Sequence, residues 1–309
     1  MKPIRIAIIG YGKIAEDQHV PAIAADPRFE LAATSSRSGK GPQPAFIDWR
    51  KLIRGVEGLQ AVAITTPPGP RYAIARDCLL AGLHCLLEKP PTAGLAEIAD
   101  LDCLAEAQGV SLFATWHAQH HRTVAAAARA LAGQRIASLA ITWHEDVHKW
   151  HPGQSWIWQP GGFGVFDPGI NAFSIATKIL PGGLFVRTAI LSVPENAQSP
   201  IAADVEFFSP AADGPLTASL DWRRSAGEEW TIAVETADGL QLRLEDGGAT
   251  LLLDGQRQAD DGPGEYPDIY RTFADLIDER RRLVDVAPLR LVADCLLLGE
   301  RRTVDPVAA

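Results

Sequence analysis

The sequence has no apolar run near the ~18 residues a membrane span needs, no run of five basic residues, and no fixed-period repeat or low-complexity tract. The first absence argues against a spanning helix. The second, with a formal net charge of −9, argues against nucleic acid or an anionic membrane as partner. Its four cysteines form no CxxC pair. Cys78, Cys85 and Cys103 lie in apolar stretches and read as buried thiols of a reducing cytoplasm, not as a disulfide framework. The N-terminal segment has only a short apolar run ended by glycines, so no secretory signal is expected there. What remains is ordinary globular composition, 47% hydrophobic and 22% charged, over 309 residues. That length suggests about two domains.

The first third alternates strand and helix. Ile4 to Ile9 is an apolar run suited to a strand buried on both faces. A helix is expected from about Ile14 to Ala25, then strands at Phe29 to Ser35, Ala61 to Thr66 and His84 to Leu87, with a helix from Arg71 to Ala81 stopped by Gly82. This order implies a doubly wound parallel sheet. After about residue 118 the pattern changes. Leu139 to Val147 reads as a strand, and alternating runs between 201 and 256 are punctuated by Asp238-Gly239, Asp246-Gly247 and Asp254-Gly255. Asp-Gly between alternating apolar runs signals hairpins. The expected fold is an N-terminal Rossmann domain over 1–118 and a domain over 119–309 built on a large, mainly antiparallel sheet. Two closing helices are expected near 266–282 and 288–302, the C-terminal one packing back on the first domain.

Gly10-Tyr11-Gly12-Lys13-Ile14-Ala15 is GxGxxA between a strand and a helix. The first glycine permits a tight turn and the second lets the backbone approach a pyrophosphate. The small Ala15 brings helix and strand close, and the first helical turn, with Lys13 and Ile14, offers N–H groups to phosphates. A dinucleotide is therefore the expected ligand. At the end of the second strand an NAD enzyme usually carries a carboxylate for the ribose 2′-hydroxyl. Here the segment is Thr34-Ser35-Ser36-Arg37. Ser36 and Arg37 suit a 2′-phosphate, which favours NADP over NAD. Glu88-Lys89-Pro90 follows a buried strand, where polar groups face the ligand crevice. A cis Lys89–Pro90 bond fits such a turn.

The set Gly10-x-Gly12-x-x-Ala15, Thr66-Pro67 and Glu88-Lys89-Pro90, joined by Gly161-Gly162-Phe163-Gly164-Val165-Phe166-Asp167-Pro168-Gly169-Ile170-Asn171, resembles the Gfo/Idh/MocA oxidoreductase family. The resemblance covers nearly the whole chain. It implies a nicotinamide-dependent oxidoreductase, with Lys89 as the active-site lysine and Asp167 as its acidic partner. Thr66, Pro67 and Glu88 would join the cofactor site. Asn171 departs from the family pattern, which has histidine there. Pro68 and Arg71 stand where asparagine and histidine are common.

Five of the eight tryptophans lie between 116 and 158, and six of the eight histidines between 117 and 151. Indole faces suit the C–H face of a pyranose, while polar side chains bind its hydroxyls. His117, Trp150 and Glu145 are the candidates for this role beside Asn171. The histidines also admit a metal site, from His117, His120 and His121 or from His144, His148 and His151, but hydride transfer needs none. Packing is the plain alternative for any single residue of the cluster. Trp150 through Trp158, with Gly12-Lys13-Ile14-Ala15-x-Asp17-Gln18-His19-x-Pro21 and Thr115-Trp116-His117, resembles the branch of the family that oxidises D-galactose and L-arabinose at C1. That branch also implies Asn171. The expected reaction is aldose oxidation to the lactone, with Asp167 as base and Lys89 holding O1 or assisting the proton. Two alternatives stand beside it. One is a dehydrogenase or reductase of another polyol or keto-sugar, and the other is a silent nucleotide-binding regulator. Self-association through the second sheet is expected, with Trp222 and Trp230 as candidates for that surface or for core.

Overall fold

The computed structural model describes residues 2–259, 262 and 264–307. The chain divides into two compact units, Met1–His117 with Pro263–Val286, and Ala118–Gly262 with Ala287–Ala309. The first begins with β1 (Ile4–Ile9), whose last four residues are buried. A strand apolar on both faces can only sit inside a sheet covered on both sides. The glycine turn follows, then a π-turn over Ala15–His19 that runs into α1 (Val20–Ala25). Next come β2 (Phe29–Ser35), β3 (Ala45–Phe46) and α2 (Trp49–Gly55), which Asp48 caps by accepting from the Arg50 amide. The alternation continues through β4 (Ala61–Ile64), α3 (Pro68–Leu80), β5 (His84–Leu87), α4 (Leu95–Gln108) and β6 (Leu112–Ala114). All pairings among these strands are parallel.

The second unit holds α5 (Arg122–Leu131), β7 (Ile136–His144), α6 (Val147–Trp150) and α7 (Phe166–Ile179). Strands β8 (Phe185–Pro194), β9 (Ala202–Phe208), β10 (Leu216–Asp221), β11 (Glu229–Thr236), β12 (Gln241–Glu245), β13 (Thr250–Leu253) and β14 (Gln256–Arg257) follow. The three Asp-Gly pairs fall between consecutive strands of the β11–β14 run. Asp254 and Gly255 both have positive φ, 48° and 76°, the conformation a two-residue hairpin turn requires.

Then α8 (Glu265–Asp278) and β15 (Leu283–Val284) return to the first unit, while α9 (Ala287–Leu298) and β16 (Glu300–Val304) complete the second. The first sheet has the order β15-β6-β5-β4-β1-β2-β3, the second β14-β13-β12-β11-β7-β10-β9-β8-β16. The second sheet is mixed: β10 on β7 and β16 on β8 are parallel, and the remaining pairs are antiparallel. Helix α7 packs against α5, α9, β7 and β11. No helix among the described residues is long and apolar enough to cross a membrane.

Four expectations change. The chain does not pass once between units at 118, because Pro263–Val286 lies with the first, so the closing helix that returns is α8 and the C-terminal helix α9 stays with the second. The helix expected to 282 stops at Asp278, Arg280 takes a positive φ of 51°, and Leu283–Val284 adds an edge strand on β6. The last helix ends before Gly299, a poor helix residue, and the charged segment after it pairs with β8 as an exposed edge strand. Cys103 is exposed, because the buried stripe of α4 runs through Ile98, Leu101 and Ala105 and misses it.

Helix α8 joins the first core through Tyr266, Ile269, Tyr270, Phe273 and Ala274, which cluster with Ile6, Ile8, Phe29 and Phe113. Ser111 Oγ also donates to the Leu276 carbonyl at 2.9 Å. Phe273 is 0% exposed and stacks on Phe29 at 6.2 Å between ring centroids. Phe273→Ala should therefore cost about 3–5 kcal/mol, read as a lower urea midpoint. A cost below about 1 kcal/mol would show that α8 is not part of this core.

Candidate active site

In the first unit the chemistry gathers at the carboxyl ends of the parallel strands, where open α/β sheets bind ligands. Gly10 has φ of 104°, and a Cβ there would lie 2.7 Å from the Thr66 amide nitrogen. Only glycine fits that approach. A Cβ on Gly12 would meet nothing within 4 Å, so its backbone borders open space at the start of the helix. Glu16 N donates to Gly12 O at 3.1 Å, closing the first turn. Lys13, paired with Asp17, is exposed, and Ile14 is exposed despite being apolar. This cradle fits a dinucleotide pyrophosphate.

Thr66 is half-buried and Pro67 exposed, in the loop after β4. Past β2, Arg37 is exposed, and Ser36 Oγ donates to the Lys40 carbonyl at 2.9 Å, shaping the turn around it. No carboxylate stands in Ser35-Ser36-Arg37-Ser38.

The Lys89–Pro90 bond is cis. Glu88 beside it is buried and fully engaged. Its Oε1 accepts from His19 Nε2 at 3.0 Å and from Tyr266 OH at 2.8 Å, and its Oε2 from the Lys89 amide at 3.0 Å. Tyr270 OH lies 2.7 Å from the other His19 nitrogen. Burial pushes the Glu88 carboxyl up, but His19, by hydrogen bond and charge, the His117 charge and the Tyr266 hydroxyl outweigh it and hold it at about 2. A carboxylate that accepts several bonds stays charged in this way. Glu88 thus acts on its surroundings through fixed protein contacts, with Lys89 half-buried at the next position.

His117 follows β6 in the same unit and places Nδ1 3.0 Å from Glu265 Oε1. Burial pushes its pKa down, and the Glu265 and Glu88 carboxylates more than offset this, leaving it raised. His117 also senses the Lys89 charge, so the two lie in one electrostatic neighbourhood.

The second unit carries a separate cluster. Asp167 opens α7 in its first turn, where a negative side chain is favoured by the helix dipole, and Asn171 follows one turn later on the same face. His151 Nε2 lies 3.4 Å from Asp167 Oδ2. Glu145 is 3% exposed; its Oε1 accepts from Trp222 Nε1 at 3.0 Å and its Oε2 from Trp230 Nε1 at 2.9 Å. Trp150 packs on Trp230 at 5.6 Å between centroids, and His151 on Trp222 at 5.2 Å. Trp150 is nevertheless 43% exposed, and its indole N–H goes to Glu228.

Expected residues therefore fall into two groups. Lys89, Glu88, His117 and the glycine loop share the first unit; Asp167, Asn171, Glu145 and Trp150 share the second. The sequence does not reveal that Trp222 and Trp230 are bound to Glu145, or that His151 faces Asp167, because these contacts cross strands and loops. Among the described residues, no group of three or more His, Cys, Asp or Glu is arranged to hold a metal ion.

Residues 4–116 match the model of an oxidoreductase family with an NAD-binding Rossmann fold, GFO_IDH_MocA. The chain is 45% identical over 308 residues to a galactose 1-dehydrogenase of Pseudomonas fluorescens, covering 99% of each protein. It superposes on a crystal structure of D-galactose-1-dehydrogenase from Rhizobium etli with a TM-score of 0.94 and 46% identity, over 100% of this chain and 99% of that one. A 3-ketoreductase from Actinomadura kijaniata, in complex with NADP and TDP-benzene, shares the fold at 18% identity and a TM-score of 0.83, covering 98% of this chain and 99% of that one.

The Glu88 geometry carries a pH signature. The folded-state value of about 2 lies below the ordinary 4.5, so the carboxylate stabilises the fold above about pH 4.5 and loses this contribution as pH falls toward about 2. The shift corresponds to about 3 kcal/mol. Glu88→Gln should thus be less stable than the parent at pH 7 by an amount that shrinks steadily below pH 4.5, measured by urea unfolding at each pH. A difference unchanged from pH 6 to pH 3 would refute the assignment.

Proposed function

The chain belongs to the Gfo/Idh/MocA oxidoreductase family, and on that basis we propose that it is an NAD(P)-dependent aldose 1-dehydrogenase oxidising D-galactose, with L-arabinose and D-fucose as further substrates. The observation that carries this reading is the Asp167–Asn171 pair on one face of α7, with His151 against the acid, in a unit where the exposed Trp150 packs on Trp230. An acid, an amide and indole faces are what a pyranose needs for its hydroxyls and its C–H face. The substrate class is supported by the full-length likeness to galactose 1-dehydrogenases.

The bound nicotinamide nucleotide supplies the hydride-accepting ring. Gly10, Gly12, Lys13 and Ile14 would hold its pyrophosphate, and Thr66, Pro67 and the Glu88-Lys89 turn would complete the nucleotide site. Asp167 takes the proton from the anomeric hydroxyl as the C1 hydrogen leaves with its electron pair, and C1 becomes the lactone carbonyl. Lys89 holds O1 and steadies the charge that develops there. Asn171 and His117 bind ring hydroxyls and Trp150 covers the C–H face, while Glu145, expected to bind a hydroxyl, is buried and holds the Trp222 and Trp230 rings instead. D-galactose and L-arabinose differ by an exocyclic CH₂OH, a group worth only about 1–3 kcal/mol of discrimination, so both are expected to be oxidised.

Ser36 and Arg37 support NADP as the preferred nucleotide. A guanidinium pairs well with a phosphate, and no carboxylate of the turn repels one. Self-association through the nine-stranded sheet belongs to the same reading, with β9 turning Asp204, Glu206 and Phe208 outward. So does work in the cytoplasm, which suits four free cysteines.

Asp167→Ala should lower galactose oxidation by roughly 10²–10⁴-fold in a folded protein, followed by the absorbance of reduced nucleotide. Near-normal turnover would remove Asp167 as base. A panel of galactose, arabinose and inositols tests the substrate class, and faster oxidation of an inositol would displace the aldose reading. Arg37→Ala should raise KM for NADP about tenfold, the loss of about 1.4 kcal/mol, while KM for NAD stays within about twofold. Equal effects on both would refute the assigned role.

A further inference from the structure

Cations are almost never fully buried without partners, yet Arg71 in the first turn of α3 is 2% exposed. Both of its terminal nitrogens bind backbone. Nη1 donates to the carbonyls of Glu88 and Pro90, and Nη2 donates to the carbonyl of Thr66. Two of these acceptors flank Lys89. The third belongs to the loop after β4, so one side chain ties the loops after β4 and β5 together. A guanidinium presents its N–H groups in a rigid planar fork, which suits carbonyls from separate segments in a way a flexible ammonium does not.

The lock extends in both directions. Toward the glycine loop, Thr65 N donates to the Ile9 carbonyl at 2.9 Å and Thr65 Oγ1 to the Gly10 carbonyl. Toward Lys89, its own amide donates to Glu88 Oε2 at 3.0 Å. The backbone around Lys89 is therefore held by the Glu88 carboxylate on one side and by Arg71 on the other.

We propose that Arg71 is a positioning residue for Lys89: it fixes the backbone from which the ammonium reaches its substrate oxygen, and it touches neither sugar nor nucleotide itself. The inference rests on the reading of Lys89 as a catalytic group. Without the guanidinium the Lys89 turn relaxes, the ammonium shifts by a fraction of its reach, and the chemical step slows while the nucleotide cradle stays intact.

The test compares wild type with R71M, R71K and K89A. D-galactose and NADP are the substrates, and every rate is normalised to NADPH sites counted by fluorescence titration. R71M should keep its NADPH Kd within about threefold, while kcat per site falls roughly 10–100-fold, the scale of a misplaced catalytic group. Its kinetic isotope effect with galactose deuterated at C1 should rise above the wild-type value as hydride transfer becomes limiting. R71K, which keeps the charge and some of the donors, should recover part of the rate and show a smaller isotope effect than R71M. If R71M does not fold, R71K decides alone, with a slower kcat per site and a raised isotope effect expected. The proposal is overturned if kcat per site in the folded Arg71 variants stays within about twofold of wild type while K89A is inactive. It is equally overturned if rate and NADPH sites are lost in the same proportion, which marks a purely structural role. Near-normal turnover by K89A would instead overturn the Lys89 reading itself, whatever the Arg71 variants do.

Discussion

The buried carboxylate of Glu88 is the constraint on which the first unit turns. A charge inside a protein is tolerated only when donors surround it, and each of its donors comes from a different part of the chain. His19 comes from the helix after the glycine loop, the Lys89 amide from the adjacent turn, and Tyr266 from 178 residues away. Satisfying one carboxylate therefore fixes the glycine-loop helix, the lysine turn and α8 against one another. The return of α8 to the first unit follows from this as well as from the apolar contacts of Ile269 and Phe273.

The second unit uses the same device with a different partner type. Glu145 receives two indole N–H groups, from Trp222 and Trp230. Tryptophan has a single donor, so each bond fixes the in-plane direction of a ring. Trp150 and His151 then pack on the rings so placed, and His151 ends against Asp167. A buried carboxyl thus orders the two indole rings, and one of these rings packs against the neighbour of the acid. Preorganisation of this kind lets a polar site act without first rearranging.

Local patterns made several features legible in advance. The glycine turn, the apolar β1, the proline turn after Glu88-Lys89 and the Asp-Gly hairpins are each encoded within about ten residues. They stand where the alternation of apolar and polar residues puts them. The features that local pattern leaves open or misplaces are those decided by distant partners. Trp222 reads equally as surface or core until Glu145 and His151 are seen beside it, and it is 1% exposed. Arg71 reads as a departure from a familiar motif until its three carbonyls are found. The segment from Gly299 onward reads as helix because its pairing with β8 lies more than a hundred residues back.

By itself the sequence determined the class of this protein: a dinucleotide cradle, a second domain of hairpins, and a resemblance that points to an oxidoreductase acting on a sugar. It could do so because phosphate-binding turns, strand alternation and tight hairpins depend on residues that are neighbours along the chain. Only the tertiary structure decided that Pro263–Val286 belongs to the first unit, that Glu88 faces His19 and Tyr266 rather than solvent, and that Glu145 holds two tryptophans. The physical reason is the same in each case. A buried charge must find its donors wherever the fold brings them, and that choice leaves no periodic mark in the sequence.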